Sequence, residues 1–198
     1  VSVELTAKDI RLINIITVPN PELSYKGELT SSMESLAQDP LVRFVGYGVK
    51  IGGRAGGTLK NVSDSQLIEM PVAENLMVSF AIGLSLKGLR PVVFIERFDF
   101  ILNALDAIVN HLDKIEALSH GEFRPAIILR IVVGNRQKPL FTGKTHTQDF
   151  SPALRSLVSF PVIGLPDASQ ISREYKMALD RMTKLSRSTA LIEYKDLH

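Results

Sequence analysis

Two hydrophobic periodicities alternate along the chain. Short apolar runs at residues 41–45, 67–70, 91–95, 126–133, 161–164 and 189–194 read as buried strands; the fourth is rich in β-branched side chains although Arg130 interrupts it. Between these runs apolar residues recur every three or four positions. Leu29, Met33 and Leu36 share one face of a helix over residues 28–38, which Asp39-Pro40 ends. Ala73, Leu76, Met77, Phe80, Ala81 and Leu84 form the wide stripe of a helix that Pro71 opens and Lys87-Gly88 closes. Leu102, Leu105, Ile108, Val109, Leu112 and Ile115 predict one long helix within residues 99–120. Ser151-Pro152 starts a short helix, and residues 169–185 form another. Strands alternating with crossover helices predict an α/β fold, a mostly parallel sheet with helices on both faces. Ligands of such sheets lie beyond the carboxyl ends of the strands. That directs attention to the loop before Glu74, the turn after Ile95 and the loop at 134–149 that holds His146.

The less regular stretches divide the chain. Residues 1–23 read as an N-terminal extension, turn-prone at Thr17-Val18-Pro19-Asn20-Pro21, and residues 24–198 as one domain. A glycine-rich segment, Gly52-Gly53-Arg54-Ala55-Gly56-Gly57, reads as a flexible connection continuing to about Ser65. The preceding run from Gly46 to Gly52 looks like a dinucleotide fingerprint, but its last spacing is wrong and no helix opens directly after it.

Composition narrows the function classes. With 198 residues, 45% of them hydrophobic, the chain can bury one substantial core. Lys and Arg number 23 against 21 Asp and Glu, and a net charge of +2 gives no reason to expect nucleic acid or an acidic membrane as partner. The absence of cysteine excludes disulfides, thiolate zinc sites and a cysteine nucleophile. No apolar run approaches the ~18 residues of a membrane helix. No basic start precedes an apolar stretch, so a cytoplasmic protein is expected.

Among the four histidines no pair has metal-ligand spacing, and no metal site is expected. His111 and His120 fall in or at the end of an amphipathic helix, where surface or packing roles suffice. His146 stands apart, in a loop amid Thr142, Gly143, Lys144, Thr145, Thr147 and Gln148. Glu74 falls in the first turn of an otherwise apolar helix directly after a strand; helix-terminal electrostatics alone accounts for that position. Phe98-Asp99-Phe100 reads first as core aromatics. From the residues alone, then, the chain is an α/β domain with a candidate site near Glu74 and His146.

Five ordered motifs carry a resemblance: Pro71-Val72-Ala73-Glu74-Asn75, Phe80-Ala81-Ile82-Gly83 with Gly88-Leu89-Arg90-Pro91, Phe98-Asp99-Phe100, Ala104-Leu105-Asp106-Ala107-Ile108-Val109-Asn110, and Thr145-His146-Thr147-Gln148. Over roughly residues 28–194 the chain resembles the pyrimidine-binding domain of thiamine diphosphate enzymes. The β subunit of the decarboxylating component of pyruvate and branched-chain 2-oxoacid dehydrogenases is the nearest likeness, and transketolases carry a similar domain. The resemblance implies that Glu74 hydrogen-bonds N1′ of the cofactor's aminopyrimidine and tunes its basicity without touching substrate. It implies further that Phe100 stacks on the pyrimidine, that Val72 lies against it, that Glu96 is near it, and that His146 faces the reacting end, stabilising charge or relaying protons. A separate subunit would supply the diphosphate-binding domain and most of the hold on Mg2+, with this chain a homodimer inside a heterotetramer.

The chain also departs from that pattern. Gly46 is followed by Tyr47-Gly48 where these β subunits usually place an acid, and Glu96 stands where Met or Gln is expected. Residues 180–190 lack the potassium-binding pattern. Nothing resembles the Gly-Asp-Gly…Asn segment that binds magnesium and diphosphate, and related β subunits continue into a C-terminal domain. A rival expectation therefore stands: a catalytically silent structural subunit of such a complex. Glu74 argues against it, and Tyr47-Gly48 and Glu96 argue for it.

Overall fold

The computed structural model describes residues 24–140 and 143–198. The N-terminal extension with its turn-prone prolines, and Thr142, lie outside the described residues. Six strands form one sheet: β1 (Val42–Gly46), β2 (Leu67–Glu69), β3 (Arg90–Ile95), β4 (Ile128–Val133), β5 (Val162–Gly164) and β6 (Thr189–Tyr194). Their spatial order is β2-β1-β3-β4-β6-β5, and every neighbouring pair is parallel. The expected α/β fold is borne out, with the sheet parallel throughout.

Because side chains alternate across a strand, each central strand feeds two cores. Phe44, Val92, Ile128 and Leu191 pack on one face with Leu29 and Met33 of α1 (Tyr25–Ala37) and Tyr175 of the long amphipathic C-terminal helix (Ala168–Leu185). Val93, Ile95, Leu129 and Ile131 pack on the other with Met77 and Val78 of α2 (Glu74–Leu86) and with Phe98, Ile101 and Ile108. Arg130 does not break its strand, since β4 is buried along its whole length. Its guanidinium gives Glu193 of β6 two hydrogen bonds, at 2.6 and 3.0 Å, and reaches Thr58 Oγ1 at 2.9 Å. Tyr175 donates to the same carboxylate at 2.5 Å. Burial opposes the guanidinium's charge, but Glu193 holds its pKa above the usual value.

Two expected elements differ. Pro71 does not open α2; residues 71–73 are non-helical, Ala73 is the N-cap and Glu74 is the first helical residue. Ala73, at φ −156° and ψ 78°, lies outside the helical region, so the helix starts three residues after Pro71. Gly88, at φ 83°, closes it as expected. The single long helix over 99–120 is instead three pieces: a 3-10 segment (Phe98–Ala104), a π-helical segment (Ala107–Leu112) and one α-turn, α3 (Ile115–Leu118). Within the 3-10 segment the buried residues Phe98, Ile101 and Ala104 are spaced by three, the period that stacks side chains on one face at three residues per turn. The short helix is α4 (Ser151–Leu157), which makes the C-terminal helix α5.

Candidate functional site

With all strands parallel, their carboxyl ends meet at one edge, where the loops after β1, β3, β4 and β6 and the start of α2 gather. Glu74 sits there, 5% exposed. Its only hydrogen bond from the described residues comes from Asn103 Nδ2, at 3.4 Å. Asn103 belongs to the same 3-10 segment as Phe100, so that bond ties the carboxylate to the aromatic. Phe100 is half-buried, and its ring meets His146 edge-on, centroids 5.2 Å apart at 87°.

Asp99 fixes the His146 loop. Its buried carboxylate accepts from Gln148 Nε2 at 2.7 Å and from the Gln148 amide at 3.3 Å. Gly134, just past β4, allows the close approach: a Cβ there would collide with the His146 carbonyl. Thr145 Oγ1 lies 3.1 Å from His146 Nδ1. The structure therefore brings Phe100 and His146 together and links Glu74 to them through Asn103. Val72 is 64% exposed at the same edge, directly before α2. Glu96 is positioned differently. It lines a 240 Å³ cavity with Tyr47 and the glycine-rich loop, and its charged neighbour is Arg97, 3.6 Å away.

The glycine-rich segment is not an unanchored connection: the Ala55 amide donates to the Gly48 carbonyl at 2.8 Å and Arg54 to the Val62 carbonyl at 3.2 Å, and the turn before it is held in its own way. Glu69, at the end of β2, accepts from the amides of Gly48, Lys50 and Ile51 at 2.6, 2.7 and 3.0 Å. Burial works against the Glu69 charge, but these amides outweigh it and hold the carboxyl below its ordinary pKa. The concavity that a mis-spaced fingerprint offered to phosphate thus already contains an internal carboxylate. Sequence reading missed Glu69, Asn103 and the Asp99–Gln148 clamp. Only Glu69 carried a local signal, an acid at a strand end facing a run of glycines.

No protein-family model matches the chain. Among curated proteins it is 30% identical over 107 residues to the mitochondrial pyruvate dehydrogenase E1 component subunit beta of Saccharomyces cerevisiae, covering 54% of this chain and 28% of that protein. It is 33% identical over 137 residues to the corresponding subunit of Chaetosphaeridium globosum, covering 66% and 40%. To the 2-oxoisovalerate dehydrogenase subunit beta of Pseudomonas aeruginosa it is 28% identical over 125 residues, covering 61% and 35%. The chain thus spans well under half the length of each of these relatives. The relatives include mitochondrial and chloroplastic proteins, so the expected cytoplasmic location is not borne out by them. Among the described residues no helix is long and apolar enough to cross a membrane.

Solved structures share the fold. A split-gene transketolase, described as an inactive beta4 tetramer, superposes with TM-score 0.65 at 15% identity, over 87% of this chain and 52% of that one. A thiamine diphosphate-dependent 4-hydroxybenzoylformate decarboxylase from Rhodococcus jostii superposes with TM-score 0.61 at 14% identity, over 88% and 31%. The resemblance carried by the five motifs is borne out: the chain has the fold of thiamine diphosphate enzymes, and its sequence relatives are β subunits of 2-oxoacid dehydrogenases.

Proposed function

We propose that this chain is the pyrimidine-binding half of a two-component thiamine diphosphate-dependent enzyme acting on a 2-oxoacid or a ketose. The observation that carries the proposal is Glu74. A buried carboxylate with one long hydrogen bond leaves acceptor capacity unused, and burying it that way costs stability unless a further donor arrives. A protonated ring nitrogen is such a donor, and the aminopyrimidine N1′ has the right chemistry. The half-buried ring of Phe100 and the exposed Val72 offer apolar surface for the pyrimidine, whereas Glu96, which lines the glycine-loop cavity, is left out of this surface.

When bound, the cofactor supplies an electron sink for breaking the bond next to the substrate carbonyl. Glu74 then holds the proton at N1′ and sets the basicity of the aminopyrimidine. His146, steadied by Phe100 and the Gln148 clamp, exchanges protons or stabilises charge at the reacting end. Among the described residues no three His, Asp or Glu side chains gather as a metal site, and a partner chain with the diphosphate-binding domain is proposed to hold the magnesium.

The test uses the complex with a chain bearing a Gly-Asp-Gly…Asn segment, sought first in an adjacent reading frame. Glu74→Ala is expected to lower turnover about 10²-fold or more with assembly intact. Its loss of helix-terminal charge costs only about 0.3–1 kcal/mol, too little to unfold the subunit. Full activity in Glu74→Ala or Glu74→Gln would remove the assignment. A second reading, a silent structural subunit, draws on the Glu96–Arg97 pairing and Tyr47-Gly48; it requires a wild-type complex that neither binds the cofactor nor turns over.

A further inference from the structure

Beside His146 a cavity of 270 Å³ opens at the carboxyl edge of the sheet, with Glu74 outside its lining. Its walls carry Arg97, Lys138, Lys195, His146 and His198, with Asn135 between them. The three permanent cations come from three connections: Arg97 follows β3, Lys138 follows β4 and Lys195 follows β6. These strands are consecutive in the order β3-β4-β6, so topology alone converges their ends. No Asp or Glu side chain lines the cavity among the described residues.

The nearby acids are committed elsewhere. Glu193 lies fully buried behind the cavity with its oxygens taken by Arg130 and Tyr175. Asp196 accepts from the Arg136 side chain at 2.9 Å and from its amide at 2.6 Å. Glu96 approaches Arg97 but lines the glycine-loop cavity on the other side and is half exposed to water. Lys26 of α1 adds another positive charge behind Lys195. Lys195 Nζ has His198 Nδ1 at 3.3 Å and no carboxylate, and Lys138 pairs with none among the described residues.

Like charges are therefore held around one concavity. Burial, then Arg97 and Lys26, hold the Lys195 ammonium below its usual pKa. Burial, then Lys195, pushes His198 down to about 4. An anion placed among them would relieve both the repulsion and part of the desolvation cost. The volume approaches the ~300 Å³ at which small-ligand sites begin.

We infer that this cavity is an anion subsite, which takes a carboxylate or phosphate group of a small organic ligand and sets it beside His146. The ligand's identity as substrate rests on the thiamine reading. There the anion is the charged tail of the 2-oxoacid or ketose, and the complex favours dicarboxylic or phosphorylated substrates over apolar-tailed ones. The subsite itself is tested without that reading. The full chain is titrated with inorganic phosphate and, separately, with succinate, following the ring resonances of His146 and His198, with sodium chloride at matched ionic strength as the control.

The expected result is a saturable shift with at least one anion and an upward move of the His198 pKa from about 4, since an anion favours its charged form. Phosphate alone saturating marks a phosphate ester as the natural group, and succinate alone a second carboxylate. Lys195→Gln and Lys138→Gln are each expected to weaken binding about tenfold; Lys138, on an exposed loop, keeps the test open if the other variant folds poorly. Shifts reproduced by sodium chloride, no saturation with either anion, or unchanged affinity in both variants would overturn the subsite. A chain that binds the anion although its complex ignores thiamine diphosphate keeps the subsite and loses the thiamine reading. A working thiamine complex whose chain ignores both anions does the reverse.

Discussion

Phe100 has its ring edge-on to His146 and only half buried, and that geometry separates two roles for one side chain. A fully buried Phe cut to Ala costs about 3–5 kcal/mol, as expected for its neighbour Phe98, which is wholly enclosed. Phe100→Ala forfeits less packing, and if the ring stacks on the pyrimidine it forfeits cofactor affinity instead. The expected outcome is a larger fall in thiamine diphosphate affinity of the complex than in its melting temperature. A large drop in melting temperature with affinity unchanged would return Phe100 to the core. Glu74 and His146 stood out in the sequence because each broke its surroundings: an acid opening an apolar helix, a histidine in a polar loop. Asn103 and the Asp99–Gln148 clamp did not, because the first bond exists only once α2 packs on the 3-10 segment and the second only once β3 and β4 are adjacent.

At the scale of elements, the loop after β1 depends on one carboxylate. Glu69 is held below its ordinary pKa by the amides of Gly48, Lys50 and Ile51, so its contribution is fully present above the unfolded value, ~4.3, and is lost as pH falls through the lower folded value. The three amide proton resonances are expected to titrate together with an apparent pKa below the ordinary glutamate value, and to stop titrating in Glu69→Gln. Titration at or above the ordinary value would mean that the carboxylate does not organise the loop. The strands and α1, α2, α4 and α5 follow from apolar periodicity because burial on two sheet faces dictates it. The segment from Phe98 to Leu112 escaped that rule. Leu102, counted toward a helical stripe, is exposed, while the spacing of three in Phe98, Ile101 and Ala104 faces the core. A 3.6-residue template reads both patterns as one amphipathic helix; only the shape of the sheet surface selects between them.

At the scale of the whole molecule, the outer surface is left incomplete in the same direction as the site. Leu76, Phe80 and Leu102 are large and exposed, and Gly83 beside them on α2 would meet nothing within 4 Å if it carried a Cβ. Leu76, Phe80 and Gly83 follow at helical spacing, an apolar stripe ending in bare backbone that allows close approach of another helix. The chain also lacks a segment that resembles a magnesium–diphosphate site, and a diphosphate left unneutralised binds poorly. We therefore expect the chain alone to be a homodimer through this face that binds thiamine diphosphate weakly or not at all. Phe80→Glu should make it monomeric by light scattering, since a buried unpaired carboxylate opposes association. With the partner chain and magnesium, calorimetry should show tight binding and assays should show 2-oxoacid- or ketose-dependent turnover. A monomeric wild-type chain would remove this face as the interface. One tight, magnesium-dependent site per chain without any partner would show that the diphosphate end lies within the chain itself.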